Sequence, residues 1–270
     1  MKQKLKIVAI LAYVCCTISA FNLSAQSLSP KVIASAGGYF TGGGNSLSWT
    51  MGETFTTTLA SANVTLTQGF QQPYFPFMIL NLKAFIEGYY IGGGQMQSLL
   101  FNYDPGNHGA NDCDSIAVDI HNASAPYNIV ATSFAILQTD GNGICKLPSS
   151  LLGGSFYIGL RHRSCIETWS MLPVLMLQST GYQFSTAASM AYGDNLVETI
   201  DNMGWAMYSG DITHDGAIDA LDYVDLDPSI QAGAGGYDIG DLNGDLAVDA
   251  LDYVIMDPNI QAGIGRITPP

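Results

Sequence analysis

Short carboxylates recur at a regular spacing near the end of this 270-residue chain. A segment that begins at Gly210 is repeated from Gly240, and 17 of the 30 aligned positions are identical, which indicates a duplication. Each copy opens with a loop that offers oxygen ligands at positions 1, 3, 5, 7, 9 and 12, the spacing with which proteins bind Ca²⁺. The predicted ligands are Asp211, Thr213, Asp215, Ala217 (through its carbonyl), Asp219 and Asp222 in the first loop, and Asp241, Asn243, Asp245, Ala247 (through its carbonyl), Asp249 and Asp252 in the second.

The two loops differ at the sixth position, where a calcium loop turns sharply and favours glycine. Gly216 fills this position in the first loop, whereas Leu246 fills it in the second. A leucine held at positive φ costs on the order of 1 kcal/mol or more. We therefore expect the first loop to bind the ion more tightly. Two positions later, Ile218 and Val248 are expected to join the two loops through a short strand contact.

The composition of the repeated segment favours ordered loops over a solvated tail. From Gly210 to the C-terminus the chain holds twelve Asp, no Glu and a single Lys or Arg residue, Arg266. A disordered acidic tail would mix Glu with Asp and would lack apolar residues in register. Here apolar residues recur at the spacing of a short packed helix. They are Leu221 and Val224 in the first copy, and Leu251, Val254 and Ile255 in the second.

Residues 209–270 resemble a dockerin, the calcium-dependent docking module of secreted polysaccharide-degrading assemblies. The resemblance rests on two tandem loops, Asp at the twelfth position and a helix only after each loop. It implies Ca²⁺ as the cofactor, and a cohesin-like or other cell-surface protein as the partner. Loop positions 10 and 11, Ala220-Leu221 and Ala250-Leu251, would contribute to specificity. The chain departs from the enzyme-borne type at Asp227-Pro228 and Asp257-Pro258, where proline should end each helix early.

Residues 1–25 have the pattern of a secretory signal peptide. Three lysines precede an apolar run at 7–18, and small residues at 23–25 form a cleavage site. The apolar run is too short to span a membrane. Removal of this segment and its three lysines would leave 6 basic and 23 acidic residues, a net charge of −17. We expect a secreted, extracellular or cell-surface protein without a transmembrane segment, and so acidic a chain is a poor partner for nucleic acid.

Residues 26–76 read as a short β-rich module and a linker. Threonine, valine and tryptophan enrichment between glycine turns predicts strands. The segments 35–40, 47–53 and 66–73 resemble a module found near the N-terminus of many secreted bacterial surface proteins, which implies export. The predicted strands are Lys31–Ser35, Ser46–Thr50, Thr54–Leu59 and Val64–Thr67, and the linker is Gln71–Pro76.

Residues 77–208 predict an antiparallel, Ig-like β-sandwich, so the fold class is mainly β with a small α-helical two-loop module after it. Along one strand, Ile116, Val118 and Ile120 should face the core, whereas Ser115, Asp119 and His121 should face water. The predicted strands are Asn81–Ile86, Ser115–His121, Tyr127–Leu137, Ser155–His162, Ile166–Trp169 and Leu172–Leu177. The expected large core residues are Phe134, Tyr157, Trp169 and Phe184.

Three cysteines remain after the predicted cleavage, namely Cys113, Cys145 and Cys165. An odd number allows at most one internal disulfide. Cys145 and Cys165 flank strands that look adjacent, so they are the favoured pair. The alternative is three isolated buried thiols.

The segment Arg161–Ser164 invites a nucleophile in which His162 activates Ser164. Two residues along a strand span roughly 6.6 Å, which is too far for direct contact. Arg161, Arg163 and Glu167 are expected to form a surface ion-pair patch instead. With neither a nucleophile elbow nor a metal-ligand cluster in the sequence of 77–208, we expect no catalytic residues and no enzyme activity.

Two functions remain open at this point. The first is a secreted, non-catalytic calcium-binding protein whose repeats mediate protein–protein docking or cell-surface assembly. The alternative is a carbohydrate-binding or polysaccharide-degrading component that uses the β-sandwich. Coplanar exposed aromatic residues would favour the alternative, and the candidates are Tyr89, Tyr90, Tyr103, Trp169 and Trp205.

Overall fold

The structure is a computed structural model that describes residues 36–42, 45–51, 59–60, 65–66 and 77–270. The predicted signal peptide, the strand expected at Lys31–Ser35 and the linker at Gln71–Pro76 lie outside the described residues. The chain divides into two units, Met1–Tyr74 and Phe75–Pro270.

In the first unit, the described residues form two strand pairs. Strand β1 (Ala36–Gly42) pairs antiparallel with β2 (Asn45–Met51), which contains the predicted strand Ser46–Thr50. Strand β3 (Leu59–Ala60) pairs antiparallel with β4 (Thr65–Leu66).

The second unit is built mainly from strands, with three α-helices among its described residues. Its strands are β5 (Phe77–Lys83), β6 (Phe85–Ile86), β7 (Tyr90–Gly92), β8 (Gln95–Met96), β9 (Asp112–Asn122), β10 (Ile129–Gln138), β11 (Asn142–Pro148), β12 (Ser155–His162), β13 (Cys165–Trp169), β14 (Val174–Leu175), β15 (Ser179–Gln183), β16 (Val197–Glu198) and β17 (Trp205–Met207). Its helices are α1 (Leu99–Tyr103), α2 (Asp222–Ala232) and α3 (Ala250–Ala262). The expectation of a mainly β protein with few helices is confirmed.

Eight strands form one curled sheet in the order β13-β12-β9-β10-β11-β5-β15, with β14 paired to β12. Neighbours are antiparallel except β15, which runs parallel to β5. Side chains alternate between faces, and β5 and β11 bury every second residue, whereas β9 and β12 are buried on both faces along part of their length. On β11, for example, Cys145 and Leu147 are buried whereas Ile144 and Lys146 are exposed. A sheet curled around its own buried face is consistent with the expected sandwich.

Short elements cover the buried face of the sheet. Strands β6, β16 and β17 form a three-stranded sheet, and 3₁₀ turns at 87–89 and 184–194 fill the space beside it. Tyr89 and Phe184, both 0% exposed, are among the largest fully buried side chains of this core. These elements carry residues that contact the repeated segment near the C-terminus.

Burial confirms three of the four expected large core residues and corrects the fourth. Tyr157, Trp169 and Phe184 are buried, but Phe134 is 71% exposed. Phe134 lies on the outward side of β10, and its neighbours Ala135 and Leu137 face the core in its place. Alternation alone does not tell which face of a strand will be covered.

The outward residues of β9 are not uniformly wet. Ser115 is exposed as expected, but Asp119 is 0% and His121 4% exposed. Arg161 and Thr132 both donate hydrogen bonds to the Asp119 carboxylate, and the His121 ring stacks on Trp169 at 3.8 Å between centroids. Side chains from neighbouring strands therefore cover this part of the outer face.

Cys113, Cys145 and Cys165 are all buried free thiols. The favoured Cys145–Cys165 disulfide is wrong, and the alternative of isolated thiols is confirmed. The reason is the strand order, because Cys145 lies on β11 and Cys165 on β13, with β10, β9 and β12 between them in the sheet.

The repeated segment packs on the sheet within the same compact unit. Its own small core is formed by the apolar loop residues and one residue of each helix, and it also includes Ile166 of β13. Apart from Ile166, the buried members are Ile212, Ile218, Leu226, Leu242, Val248 and Met256.

Both repeat helices continue through their prolines. Pro228 lies inside α2 and Pro258 inside α3, so the prediction that proline ends each helix early is wrong. The helices end at Gly233 (φ 59°) and Gly263 (φ 65°), whose left-handed conformation closes the last turn. Both prolines are exposed, and the buried side of each helix keeps its packing. Among the described residues, no helix is long and apolar enough to cross a membrane.

Candidate metal centre in the repeated loops

The twelfth-position aspartates close both loops. Asp222 and Asp252 are each 0% exposed. Each carboxylate accepts hydrogen bonds from the backbone N–H groups of the second, third and ninth loop positions, at 2.7 to 3.2 Å. The carboxylate therefore ties the beginning of its loop to the beginning of the helix that follows.

The first-position aspartates are also buried, but their surroundings differ. Asp211 is 2% exposed, and its Oδ1 atom has no hydrogen-bond partner among the described residues. Burial, and then the nearby Asp222 carboxylate, raise the pKa of Asp211 to about 6. Asp241 accepts three backbone N–H groups of the turn at 244–246, at 2.7 to 3.1 Å, yet burial still raises its pKa to about 6.

The outer predicted ligands hold the backbone of their loops. At the fifth and ninth positions of both loops, the Asp side chain accepts the N–H group two residues ahead, at 2.7 to 2.9 Å. At the third position, Thr213 donates to Asp222 at 3.1 Å and Asn243 donates to Asp245 at 3.0 Å. Thr213 is therefore drawn toward the buried twelfth-position carboxylate, Asp222, and Asn243 toward the exposed fifth-position carboxylate, Asp245.

The sixth positions carry the backbone conformation that the sequence predicted. Gly216 has φ 91°, and Leu246 has φ 69°. The strain at Leu246 is accompanied by packing, because its side chain lies against the main core beneath the sheet. Its carbonyl also accepts the Gly236 N–H at 2.9 Å. The sheet therefore helps to hold the second loop in a conformation that leucine disfavours.

Each loop pairs with the segment that follows the helix of the other copy. Ile218 N–H donates to Ile264 at 2.8 Å, and Val248 N–H donates to Ala234 at 2.9 Å. The expected strand contact between the two loops is therefore wrong. The helices are linked reciprocally as well, since the Tyr223 hydroxyl bonds Asp257 and the Tyr253 hydroxyl bonds Asp227, each at 2.6 Å. The repeats thus form one interlocked pair.

The twelve predicted ligands lie in their two loops, but their carboxylates are engaged with loop N–H groups. In residues 36–42, 45–51, 59–60, 65–66 and 77–270, no three His, Cys, Asp or Glu side chains gather closely enough to hold a metal ion. The chemistry of the donors nevertheless fits a hard cation, because every side-chain donor is oxygen. Among the described residues, the Oδ1 atom of Asp211 is a buried side-chain oxygen without a hydrogen-bond partner, which is the kind of atom that a bound cation would satisfy.

A buried polar network that the sequence did not reveal lies beside the second loop. The Asp114 carboxylate is 3.0 Å from His162 Nε2 and 3.1 Å from Arg163 Nε, and it also accepts the Tyr237 hydroxyl. Burial opposes ionisation, but the His162 hydrogen bond and charge, followed by Arg163, hold the pKa of Asp114 well below its usual range. For His162, burial lowers the pKa, but Cys165 and Asp114 outweigh it and raise the pKa to about 9.

Arg163 carries this network into the second loop. Its guanidinium donates to the backbone carbonyls of Asp238 and Asp241 and to the Tyr89 hydroxyl. It also lies 4.4 Å from the centroid of the Tyr237 ring. The backbone of a predicted ligand, Asp241, is thus held by a side chain of the β12–β13 turn.

A second link joins the sheet to α3. The Asn259 side-chain amide donates to Glu87 at 2.7 Å and to the Ser209 carbonyl at 2.9 Å, while Ser209 N–H donates to Glu87 at 2.9 Å. Burial raises the pKa of Glu87, although the hydrogen bonds that its carboxylate accepts from Ser209 and Asn259 act against the rise. The second copy of the repeat is therefore anchored both at its loop, by Arg163, and at its helix, by Glu87.

His162 lies in a triad-like arrangement that the sequence argument rejected. Ser164 Oγ and Cys165 Sγ are 3.2 and 3.3 Å from His162 Nδ1. The expectation that Ser164 lies too far away is wrong, because β12 ends at His162 and the chain turns before Ser164. Together with Asp114 on the other ring nitrogen, this is the order of a nucleophile triad. Ser164 is 0% and Cys165 2% exposed, so neither atom is presented to a substrate.

The expected surface patch of Arg161, Arg163 and Glu167 is wrong, because each residue is paired separately. The three side chains line one cleft, but each forms its ion pair with a residue outside this set. The observed ion pairs are Arg161–Asp119, Arg163–Asp114 and Arg266–Glu167.

The apolar residues that recur in the repeats lie on the outside of the helices. Leu221 and Leu251 are 56% and 57% exposed, and Val224 and Val254 are both 65% exposed. The prediction that these four residues pack is wrong, since Leu226 and Met256 face the core instead, whereas it is confirmed for Ile255, which packs against that core. With the exposed prolines, each helix presents one apolar stripe at the i, i+3, i+7 spacing. We call them the helix stripes: Leu221, Val224 and Pro228, and Leu251, Val254 and Pro258.

The five aromatic residues proposed for a sugar platform do not share an exposed surface. Tyr89 is 0% and Trp169 5% exposed, whereas Tyr103 is 53% exposed. Tyr90 and Trp205 are partly buried and pack against the main core. The feature that would favour the carbohydrate alternative is therefore not formed by these residues.

A cleft of about 900 Å³ lies beside Trp169, between the loop at 126–129 and the C-terminal segment at 266–269. Glu167 on its wall accepts the Trp169 indole N–H at 2.7 Å and an Arg266 N–H at 2.8 Å. His121 also lines it, and the His121 Nε2 atom has no partner among the described residues. Its wall is thus polar, with the indole ring largely covered.

Comparison with known proteins gives a remote likeness in structure alone. No family model matches the chain, and no curated protein matches it. Among solved structures, it is similar to a chain from the crystal structure of a type II cohesin–X–dockerin complex of Acetivibrio cellulolyticus, an N-terminal interface mutant. The two chains are 13% identical with a TM-score of 0.39, over 68% of this chain and 95% of the other. A likeness this remote decides nothing about the present chain.

Proposed function

We propose that this chain is a secreted, non-catalytic calcium-binding protein whose repeats dock onto a partner protein. The observation that carries the proposal is the pair of helix stripes. Four large apolar side chains are 56–65% exposed at equivalent positions of two helices, although other residues of the same helices form a core. Such a repeated exposed apolar surface is typical of an interaction site.

The ion would order the loops from which the stripes project. Its ligands would be the six oxygen-bearing positions of each loop, and it would supply positive charge that neutralises carboxylates now buried beside one another. Asp211 supports this role, because its Oδ1 is buried without a partner and the Asp222 charge adds to the effect of burial on its pKa. The first loop should bind more tightly, since Asp241 of the second loop already accepts three N–H groups.

The partner should offer an apolar surface with a basic rim. Between Gly210 and Gly265 the repeats hold twelve Asp and no Lys or Arg, so the stripes lie in a strongly acidic surface. Opposite charge at the rim favours association and selects the partner. A cohesin-like or other cell-surface protein of this composition is the class we propose.

Calorimetric titration of the full chain with Ca²⁺ tests the proposal. We expect binding heat, and a higher Tm in Ca²⁺ than in chelator, because ligand binding to the folded state stabilises it. Asp211→Asn should weaken the tighter phase by at least about tenfold, a loss of about 1.4 kcal/mol.

The matched control for that titration is Asp225→Asn. Asp225 is an exposed helix residue outside the ligand positions, so its loss should leave the affinity unchanged. The absence of both heat and any change in Tm at millimolar Ca²⁺ would remove calcium from the proposal. Equal losses in the two variants would show a general charge effect instead of a site.

A polysaccharide ligand is a second candidate, and the cleft beside Trp169 is the observation that favours it. Its polar wall would suit a hydroxyl-rich ligand, and the largely covered indole of Trp169 lies beside that wall. Titration with neutral oligosaccharides should then change tryptophan fluorescence, and Glu167→Gln should abolish that change. A signal that survives in Glu167→Gln would place the ligand elsewhere.

A further inference from the structure

Exposed apolar side chains and positive charge lie together on the solvent-facing side of the eight-stranded sheet. Phe134 is 71%, Ile144 65% and Phe77 41% exposed. Leu137 of β10 pairs with Gly143 of β11. At the next position along both strands, Ile136 lies opposite Ile144, and Ile136 is 38% exposed. These side chains belong to three neighbouring strands, β10, β11 and β5, and so form one patch. A patch of this kind on an isolated sheet face marks an interaction surface.

Positive charge borders the patch. Lys146 lies on the same side of β11 as Ile144, and it is in no ion pair within the described residues; its ammonium group lies 5.2 Å from the centroid of the Phe77 ring. Arg161 of β12 borders the patch on the other side. On that side Asp119 pairs with Arg161 itself and Glu167 pairs with Arg266, so the positive charge that stays outside ion pairs among the described residues of the patch is that of Lys146. We call the patch with its two cations the outer face: Phe77, Phe134, Ile136, Ile144, Lys146 and Arg161.

The helix stripes of the same chain have the complementary chemistry. They are apolar, and the described residues around them carry Asp without Lys or Arg. Exposed Asp225 adjoins Val224 directly. By contrast, residues 26–76 hold one Lys and one Glu, so the first unit offers no comparable charge.

Within one chain the two surfaces do not meet. The repeats are anchored by Arg163 and Glu87, and both the outer face and the stripes are exposed in that arrangement. We propose that the helix stripes of one copy dock on the outer face of a second copy, in a head-to-tail contact. This inference rests on the proposed docking function and names its partner. Because the two surfaces are different, the contact does not close on itself, and association should continue beyond a dimer.

Sedimentation of the full chain in Ca²⁺, over a wide range of concentration, tests the inference. We expect the mean mass to grow past that of a dimer, and to fall as salt is added because the rim charges are screened. Phe134→Asp with Ile144→Asp removes the outer face, and Leu221→Asp with Leu251→Asp removes the stripes. All four sites are more than half exposed, so both variants should fold. Each variant alone should associate at least about tenfold more weakly.

Mixing the two variants is decisive. One retains the stripes and the other retains the outer face, so the mixture should form a 1:1 complex that grows no further. Leu172→Asp is the matched control, since Leu172 is 65% exposed and belongs to neither surface, and this variant should associate like the parent. If the stripe variant still dimerises alone, or the outer-face variant does, the contact is between like surfaces and the inference is wrong.

The outcome is separable from that of the proposed function. A chain that binds Ca²⁺ but stays monomeric at every concentration would overturn the self-docking and leave the calcium proposal standing. A chain that associates as described but shows no calcium heat would support the self-docking and overturn the calcium role.

Discussion

A buried histidine beside a buried carboxylate sets the electrostatics of the sheet. His162 and Asp114 have side chains that are both 0% exposed and lie 3.0 Å apart. Such a pair is stable only when each charge is matched, because a lone buried charge costs several kcal/mol. Arg163 and the Tyr237 hydroxyl supply the further bonds to Asp114. Cys165 Sγ, 3.3 Å from the other ring nitrogen, and Asp114 therefore favour a protonated His162 in the folded state.

This protonation predicts a pH dependence of stability. The folded pKa of about 9 lies above the unfolded value of about 6.5, so the stabilisation is complete below pH 6.5 and is lost as pH rises through 9. We expect the free energy of unfolding of the full chain to fall between pH 6.5 and 8, by on the order of 1 kcal/mol per pH unit. Denaturant titration at constant Ca²⁺ measures it.

Two variants check the assignment to His162. His162→Gln should be less stable and should show a flat profile in this window, while His108→Gln should keep the slope of the parent. Burial raises the pKa of the Cys113 and Cys145 thiols further above the window, so these two thiols do not interfere. A parent profile that is level between pH 6.5 and 8 would show that His162 is neutral.

Leu246 carries two opposing contributions. Its positive φ costs on the order of 1 kcal/mol, while its side chain packs against the main core. Leu246→Gly removes both the strain and the packing. Relief of the strain by itself would increase the ion affinity of the second loop, and the loss of packing against the main core opposes that gain. Leu246→Ala removes the packing and keeps the strain. We therefore expect the alanine variant to be less stable than the glycine variant by about 1 kcal/mol in chemical unfolding. Equal stabilities would mean that the loop tolerates a side chain there without strain.

At the scale of elements, the repeat helices show how packing overrides a local breaker. A proline inside a helix removes one backbone hydrogen bond and costs about 3 kcal/mol. Both helices nevertheless continue for four residues beyond proline, to glycine caps that satisfy their last carbonyls. The buried residues Leu226 and Met256 hold the other side of each helix against the common core.

Replacing these prolines should therefore stabilise the repeats. Pro228→Ala restores the backbone donor and fits the existing helical conformation, and we expect a gain of about 1–3 kcal/mol. The Tm of the full chain in Ca²⁺ measures it, with Pro258→Ala as the equivalent change in the second copy. No gain in either variant would indicate that the proline ring makes contacts of its own that compensate for the lost bond.

At the scale of the whole molecule, the sheet and the repeats form a single compact unit. Close contact requires glycine at two positions of the interface. A Cβ atom on Gly88 would collide with the Leu242 carbonyl, and one on Gly244 would lie 2.9 Å from the Tyr89 ring. These contacts sit beside the Arg163 and Glu87 links. We infer that the repeats and the sheet unfold together, and that the full chain is the right material for ion titration.

A wedge at Gly88 tests this cooperativity. Gly88→Ala should force the second loop away from the sheet, lower the Tm and split a single thermal transition into two. Gly181→Ala is the control, because the nearest atom to its Cβ would be the Asn81 carbonyl oxygen at 4.0 Å and its φ is ordinary. A single transition with the Tm of the parent in Gly88→Ala would show that the interface yields easily and contributes little.

The sequence by itself determined what depends on near neighbours. The Asp spacing placed both loops, the glycine rule anticipated the positive φ of Leu246, and β-branched runs located the main strands, with Ser155–His162 at its observed bounds. These features follow from local backbone geometry and side-chain alternation, which a short window contains.

Tertiary structure alone decided what depends on distant partners. Asp114 meets His162 across 48 positions, and Arg163 reaches Asp241 across 78. Tertiary structure also decided which face of an element is covered. Phe134 and the helix stripes are apolar and exposed, because other residues of the same elements face the core. Apolarity and period define a face, but only the packing of the rest of the chain decides whether that face is buried or left for a partner.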